Sequence, residues 1–440
     1  MKITIFLLIT LLFIQVISNG QDRSGLDKEI TRQTEYALKL CTYLHLNPEI
    51  SFHEEKTSGR MADEFRSIGF DVTSNFGGHN VVGLFKNGEG PVIMLRTDMD
   101  ALPIKEKTGL SFASTKTMID SNGKEVPVMH ACGHDIHMSV LVGAVRTLVK
   151  MKDQWKGTLL IIAQQAEEMS GGASLAIKNG LFKKFPVPDY ALAYHINPEI
   201  ESGRIGLMPG PMFAGVKTAE ITVFGIGGHG AYPEKCIDPV VIASRIVLDL
   251  QTIVSREISP LKPVVVTVGS IHGGTRPNII PEEVKMELTL RYYDNKTIEQ
   301  TIDAIKRISK GAAITAGLPD NKLPKVLVTP GETPPVINDA DLCRRISEYS
   351  SCVLGEENIV KVDPAMVGED FGNYGRTPEK VPICLIWLGS TNPEVMDDYL
   401  AKGEKPPPLH SHFLNPDYPL TIETGIKAMV SNVIGLFTED

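Results

Sequence analysis

From about Ala214 the order of elements written into this chain changes, and that change limits the available folds more than any other feature. Apolar spacing predicts a strand at Ala219–Phe224, a helix at Pro239–Ser255, strands at Val264–Ser270 and Val284–Tyr293, a helix at Ile298–Ala316 and a strand at Lys325–Val328. This β-α-β-β-α-β order is that of a ferredoxin-like unit. Upstream, helices at Leu26–Leu46, Glu55–Ile68 and Met138–Met151 alternate with apolar strands at Val81–Phe85, Val92–Arg96, Thr158–Ala163 and Tyr190–Ile196. Asn47-Pro48 stops the first helix, and Asp135 is a plausible cap for the third. Helix and strand signals resume at Asp339–Leu354, Ile383–Leu388 and Ile422–Phe437. The expected fold is therefore α/β. A helix-covered mixed sheet made from 21–213 and 330–440 is interrupted by an inserted α+β domain at 214–329.

The chain is long enough, at 440 residues, for more than one hydrophobic core. It opens Met1-Lys2 and then runs apolar from Ile3 to Val16, too short for a comfortable membrane span. With small residues at Ser18 and Gly20, residues 1–20 read as a signal peptide, and an exported protein is expected. A net charge of −9 with scattered Lys and Arg argues against nucleic acid or an anionic membrane as partner. The six cysteines, Cys41, Cys132, Cys236, Cys343, Cys352 and Cys384, are too dispersed for a dense disulfide framework.

The chemistry concentrates in His130-Ala131-Cys132-Gly133-His134-Asp135-Ile136-His137 and in the adjacent carboxylates Glu167 and Glu168. Cys132 and His134 offer a thiolate and an imidazole two residues apart, and Glu168 can add a carboxylate oxygen. Glu167, pointing the other way, is free to handle the protons of a water molecule. His195, placed at the end of its predicted strand, and His410 and His412, beyond a proline bend, join this set if the fold brings them together. His130 and His137 suit supporting or packing roles. Asp98-Met99-Asp100 follows a strand. It could be a phosphotransfer pair or a turn with two solvated acids, but the preferred role for Asp100 is to orient an imidazole N–H. Gly225-Ile226-Gly227-Gly228-His229-Gly230 satisfies a dinucleotide-binding pattern, yet Pro233 separates it from the next helix. Asp370-Phe371-Gly372 lacks the other kinase signatures.

Taken together, His130–Asp135, Ala166-Glu167-Glu168, Gly227-Gly228-His229-Gly230-Ala231, Arg276-Pro277-Asn278-Ile279-Ile280-Pro281 and Gly368-Glu369-Asp370-Phe371 resemble the M20 metallopeptidases. The match is to the amidohydrolase branch with hippurate hydrolases, N-acyl-amino-acid hydrolases and auxin-conjugate hydrolases. The resemblance implies two divalent ions per subunit, drawn from zinc, manganese, cobalt or nickel. Cys132 would bridge them, with His134, Glu168, His195 and a C-terminal histidine as further ligands. It implies Glu167 as general base, Asp100 as the acidic support of the metal site, and His229 as the group polarising the scissile carbonyl. Asn278 and Arg291 would stand near the substrate carboxylate. Asp98 stands where other branches carry a histidine ligand. Gln165 replaces the proline often found before Ala-Glu-Glu. Leu409-His410-Ser411-His412 offers two candidates for the last ligand, of which Leu-His-Ser favours His410.

The expected activity is that of an amidohydrolase that splits N-acyl or N-aroyl amino acids, working as a homodimer through the inserted domain on a small-molecule substrate. An exopeptidase on short peptides and a non-catalytic metal-containing binding protein are the alternatives.

Overall fold

The structure, a computed structural model, describes residues 20–329 and 333–438, with side chains described from Gly25 onward. The apolar run of the expected signal peptide lies outside the described residues. The chain divides into two compact units. One comprises the chain up to Gly210 together with Asn338–Val362 and the chain from Asn373 on; the other comprises Pro211–Ile337 with Asp363–Gly372.

The first unit is built on an eight-stranded mixed sheet. Its spatial order is Asp71–Thr73, Val81–Asn87, Gly157–Gln164, Val92–Asp98, Tyr190–Glu201, Ile383–Thr391, Ile205–Leu207 and Ile359–Lys361. Every residue of Gly157–Gln164 and of Ile383–Thr391 is buried. Successive side chains of a strand point to opposite faces, so both faces of the sheet centre are covered. The apolar helix His134–Lys150 packs between Gly20–Leu46 and Tyr418–Thr438. That last helix is the one candidate among the described residues long and apolar enough to cross a membrane, and most of it is buried within this unit.

Three neighbouring strands set the position of the site. Val92–Asp98 runs parallel to Gly157–Gln164, with Asp98 opposite Gln164, and parallel to Tyr190–Glu201, with Arg96 opposite Ala193. His195 lies two residues beyond Ala193 on its strand, where the paired register ends. The carboxyl edge of parallel strands is where open α/β sheets gather their ligands. The sequence places His195 at a strand end, whereas the strand continues to Glu201 and His195 lies inside it.

The second unit contains a four-stranded antiparallel sheet ordered Val264–Gly273, Glu283–Tyr292, Gly215–Phe224, Lys325–Val328. With helices Pro239–Thr252 and Asn295–Thr315 this is the ferredoxin-like order. The unit extends past the expected 214–329. Ala214 N–H lies 3.0 Å from the carbonyls of both Ala365 and Val367, and Ala365 N–H donates to Met212. Those bonds bring Asp363–Gly372 into this unit.

Candidate metal centre and catalytic residues

Gly133 has φ +76°, and a Cβ there would stand 2.3 Å from Ile196 Cδ1. Only glycine allows the turn that opens helix His134–Lys150 with Cys132 and His134 side by side. Asp135 is not the cap. It is buried inside the first turn, where its Oδ2 lies 2.8 Å from Nδ1 of His45.

Cys132, His134 and His195 each bring one donor atom within 4.8 Å of the others. Cys132, Glu168 and His410 do the same, as do His134, Glu167 and Glu168. Cys132 belongs to two of these groups, so one sulfur faces two sets of donors. Its Sγ is 3.4 Å from His195 Nε2, and His410 Nε2 is 3.3 Å from Glu168 Oε2. His410 holds this place with φ +64°, its N–H donating to the carbonyl of Ala131 beside Cys132. His412 instead packs its ring against Phe413.

Two atoms argue that the centre is built for a cation. His134 Nε2 and Glu168 Oε1 are buried without a hydrogen-bond partner, a costly arrangement unless something else meets them. Burial opposes a charged imidazole, yet the charges of Asp98, Asp100 and Glu168 hold His134 up at about 10. Burial, reinforced by Glu168 and Glu167, pushes the Cys132 thiol well above its ordinary value. The pocket therefore carries a surplus of negative groups. A soft sulfur, imidazole nitrogens and carboxylate oxygens form a donor set suited to borderline divalent ions.

The supporting contacts differ from expectation in one respect. Asp100 does orient His134, but chiefly through its main-chain carbonyl, 2.7 Å from His134 Nδ1, with its carboxylate Oδ1 3.4 Å from the same nitrogen. Its carboxylate accepts the backbone N–H of Glu167 on Oδ1 and that of Glu168 on Oδ2, both at 3.0 Å, and the Ser51 hydroxyl at 2.6 Å. Asp98 is equally enclosed, accepting from Arg96 and facing His137 Nδ1, each at 2.7 Å. Neither acid is solvated or free to act as a phosphotransfer nucleophile. His137 supports as expected, its Nε2 accepting the N–H of Ile196 beside His195. His130 is buried, and neither ring nitrogen has a hydrogen-bond partner; burial drives its pKa down to about 4. Gln165 replaces proline's stiffness with a clamp, accepting from His79 N–H and donating to the Gly77 carbonyl.

Ser51, Glu54 and Asn80 bear on the glutamate turn, and no sequence signal singles them out. They act on groups far away in the chain, which leaves no periodic pattern.

The remaining expected residues lie in the second unit. His229 pairs with Ile279 in a short ribbon, and Gly230 N–H donates to the Asn278 carbonyl, so His229 and Asn278 are neighbours. His229 is exposed. Arg291 lies on the four-stranded sheet, half-buried, where a Cβ on Gly368 would come within 3.3 Å of its Nη1. The glycine-rich run Gly225–Gly230 opens no helix; a single 3₁₀ turn at Pro233–Lys235 follows, and the next α-helix begins at Pro239.

Residues 94–403 match the profile of Peptidase family M20/M25/M40. The chain is 34% identical over 400 residues to an N-acetyldiaminopimelate deacetylase of Oenococcus oeni, covering 90% of this chain and 96% of that protein. It is 36% identical over 338 residues to a hippurate hydrolase of Campylobacter jejuni, covering 76% and 84%. A solved Bacillus subtilis protein, described as a dinuclear metal binding peptidase from the M20 family, superimposes with a TM-score of 0.73 at 26% identity, covering 92% of this chain and 98% of that one. This chain therefore belongs to the M20/M25/M40 peptidase family and is a metal-dependent hydrolase of amide bonds.

Proposed function

We propose that the protein cleaves the amide of N-acyl or N-aroyl amino acids, releasing a carboxylic acid and an amino acid. The observation that carries this reading is the pairing of Glu167 and Glu168 on one turn, both anchored by Asp100 beside a sulfur shared by two donor groups. Relatives named for an N-acetyl and a hippurate substrate support the acyl-amino-acid class.

Cys132, His134, Glu168, His195 and His410 would hold two divalent ions, the Cys132 sulfur lying within reach of both donor groups. Such ions supply Lewis acidity, polarising the scissile carbonyl and acidifying a water. Glu167 takes the proton of the attacking water on a carboxylate oxygen and returns it to the leaving nitrogen. His195 presents Nε2 to the centre because its Nδ1 is engaged by the Ile196 carbonyl at 2.9 Å. We assign to His229 the polarisation of the substrate carbonyl, and to Asn278 and Arg291 its carboxylate. Burial lowers the pKa of Arg291, which makes a carboxylate a favourable partner for its guanidinium.

Homodimerisation and export belong to the same proposal. Val241 and Leu248 are exposed on one side of helix Pro239–Thr252, and Val264–Gly273 is an edge strand with Ile271 exposed; both suit a second copy. Sedimentation tests the dimer, and N-terminal sequencing of protein recovered outside the cytoplasm tests export.

The substrate class is tested by amino-acid release from N-acetyl, N-benzoyl and N-indoleacetyl amino acids and dipeptides, with purified protein loaded in turn with zinc, manganese, cobalt or nickel. Metal-dependent release from acylated amino acids supports the proposal. Release from dipeptides alone assigns the site to an exopeptidase, and a metal-loaded, folded protein inert on the whole panel contradicts it.

A further inference from the structure

The turn that carries the two glutamates is closed by its own carbonyls, Ala166 accepting from Gly171 and Glu167 from Ser170, but its N–H groups are held by side chains from elsewhere in the chain. Ala166 sits at φ +49°, a left-handed conformation that a residue with a Cβ adopts only when its surroundings impose it. Four consecutive N–H groups leave this turn, and each is taken by a side chain. Gln165 donates to Asn80 Oδ1 at 2.9 Å, Ala166 to Glu54 Oε1 at 2.7 Å, and Glu167 and Glu168 to the two oxygens of Asp100. The residues flanking the cradle are held in the same uncommon conformation, Phe52 at φ +65° and Ser170 at +53°. A Cβ on Gly171 would stand 2.6 Å from the Phe52 ring, so the loop holding Glu54 and the chain after the glutamates are packed together.

Glu54 is the member of this cradle that reaches Ala166, its carboxyl also facing the backbone of Phe52 and its own N–H. It occupies the N-cap position of helix Glu55–Ile68, yet its side chain makes no capping bond. Glu49 does that work, its Oε2 accepting both the N–H and the hydroxyl of Thr57. Glu54 is fully buried, and its Oε2 has no partner. Burial and the nearby Asp100 charge raise its pKa to about 8.

We propose that Glu54 is a positioning residue, fixing Ala166 in the left-handed turn that aims Glu167 and Glu168 in their separate directions. Without the Glu54 contact the Ala166 N–H is buried and unpaired, and the turn relaxes toward a conformation that misdirects both carboxylates. The inference rests on the roles given above to Glu167 and Glu168.

The test compares Glu54→Gln, Glu54→Ala and Glu54→Asp with wild type, reading zinc affinity of the metal-stripped protein by calorimetry. The visible spectrum of the cobalt-loaded forms and kcat and KM on the best acylated amino acid complete the comparison. Gln keeps an acceptor oxygen at the same reach and is expected within about threefold of wild type in affinity and kcat. Ala is expected to lose about 10–100-fold in zinc affinity and a comparable factor in kcat, with KM nearly unchanged and an altered cobalt spectrum. If Ala does not fold, Asp, which draws the carboxyl back by one methylene, is expected to show the same losses in a folded protein. Folded Ala or Asp variants with unchanged zinc affinity and spectrum overturn the proposal, and so does a Gln variant as impaired as Ala. Glu167→Gln run alongside separates the two layers. Undiminished turnover there removes the base assignment, whereas the zinc affinities of the Glu54 series judge the positioning role independently of turnover.

Discussion

Asp100 holds His134 with its main chain and the glutamate turn with its side chain. The carbonyl takes the Nδ1–H of His134 at 2.7 Å, which leaves Nε2 facing the donor cluster, while the two carboxylate oxygens accept from Glu167 and Glu168. One residue thus ties the cysteine–histidine loop to the strand end that carries both acids.

Asp100→Ala should therefore keep the main-chain hold on the imidazole, remove the Oδ1 contact at 3.4 Å and release the glutamates. The expected result is a folded protein with zinc affinity about 10–100-fold weaker, measured by calorimetry on metal-stripped samples. Unchanged affinity would mean that the turn holds without it.

Metal uptake should release protons. His134 is held near 10 by the acids around it and the Cys132 thiol is pushed up by burial, so at pH 7 both are protonated before metal binds. Binding heats measured in buffers of different ionisation enthalpy are expected to show about two protons released, with affinity rising as pH rises. About one proton would show that one of the two groups gives none up, and no buffer dependence would show that neither does.

The two C-terminal histidines should separate cleanly. His410→Ala is expected to weaken metal binding and cut kcat at least tenfold, because its ring meets Glu168, whereas His412→Ala stays within about threefold of wild type. Metal content and turnover of the two variants decide this, and the reverse ranking would move the ligand to His412.

Much of this centre is local in sequence and legible there. The Cys132–His134 loop and Glu167-Glu168 each fall within a few residues, and the ferredoxin-like unit announces itself by element order. The long-range part is not legible. Asp135 reads as a cap by position but pairs with His45 across the helix packing, and Glu54, which no pattern marks, reaches Ala166. Side-chain bonds to distant main chain have no period, so neither propensity nor spacing reveals them. Likewise Asp363–Gly372 joins the second unit through carbonyls of Ala365 and Val367, which any sequence could supply.

His45 gives the fold a pH-dependent brace. Buried between Asp135 at 2.8 Å and Glu106 at 3.0 Å, it is penalised by burial but held up to about 10 by those two acids. A folded pKa above the unfolded ~6.5 means that this stability is fully present below that value and is lost as pH rises through about 10. Asp135 and Glu106 are lowered despite their burial, so their share is present above the ordinary carboxylate range and is lost as pH falls through their lowered folded values. His45→Ala should cost about 3–5 kcal/mol at pH 7, since it strands buried acids. The gap from wild type should narrow at pH 10. Urea unfolding of metal-stripped samples at both values checks this, and a gap of equal size at both would refute the brace.

Turnover by Glu167→Gln, with metal content measured in the same sample, puts the assignment of Glu167 as the base to its sharpest test. The substitution keeps the shape and removes the base. Full metal loading, a KM close to wild type and kcat lower by about 10²–10⁴-fold are expected. A metal-loaded Glu167→Gln protein turning over at the wild-type rate would contradict the assignment.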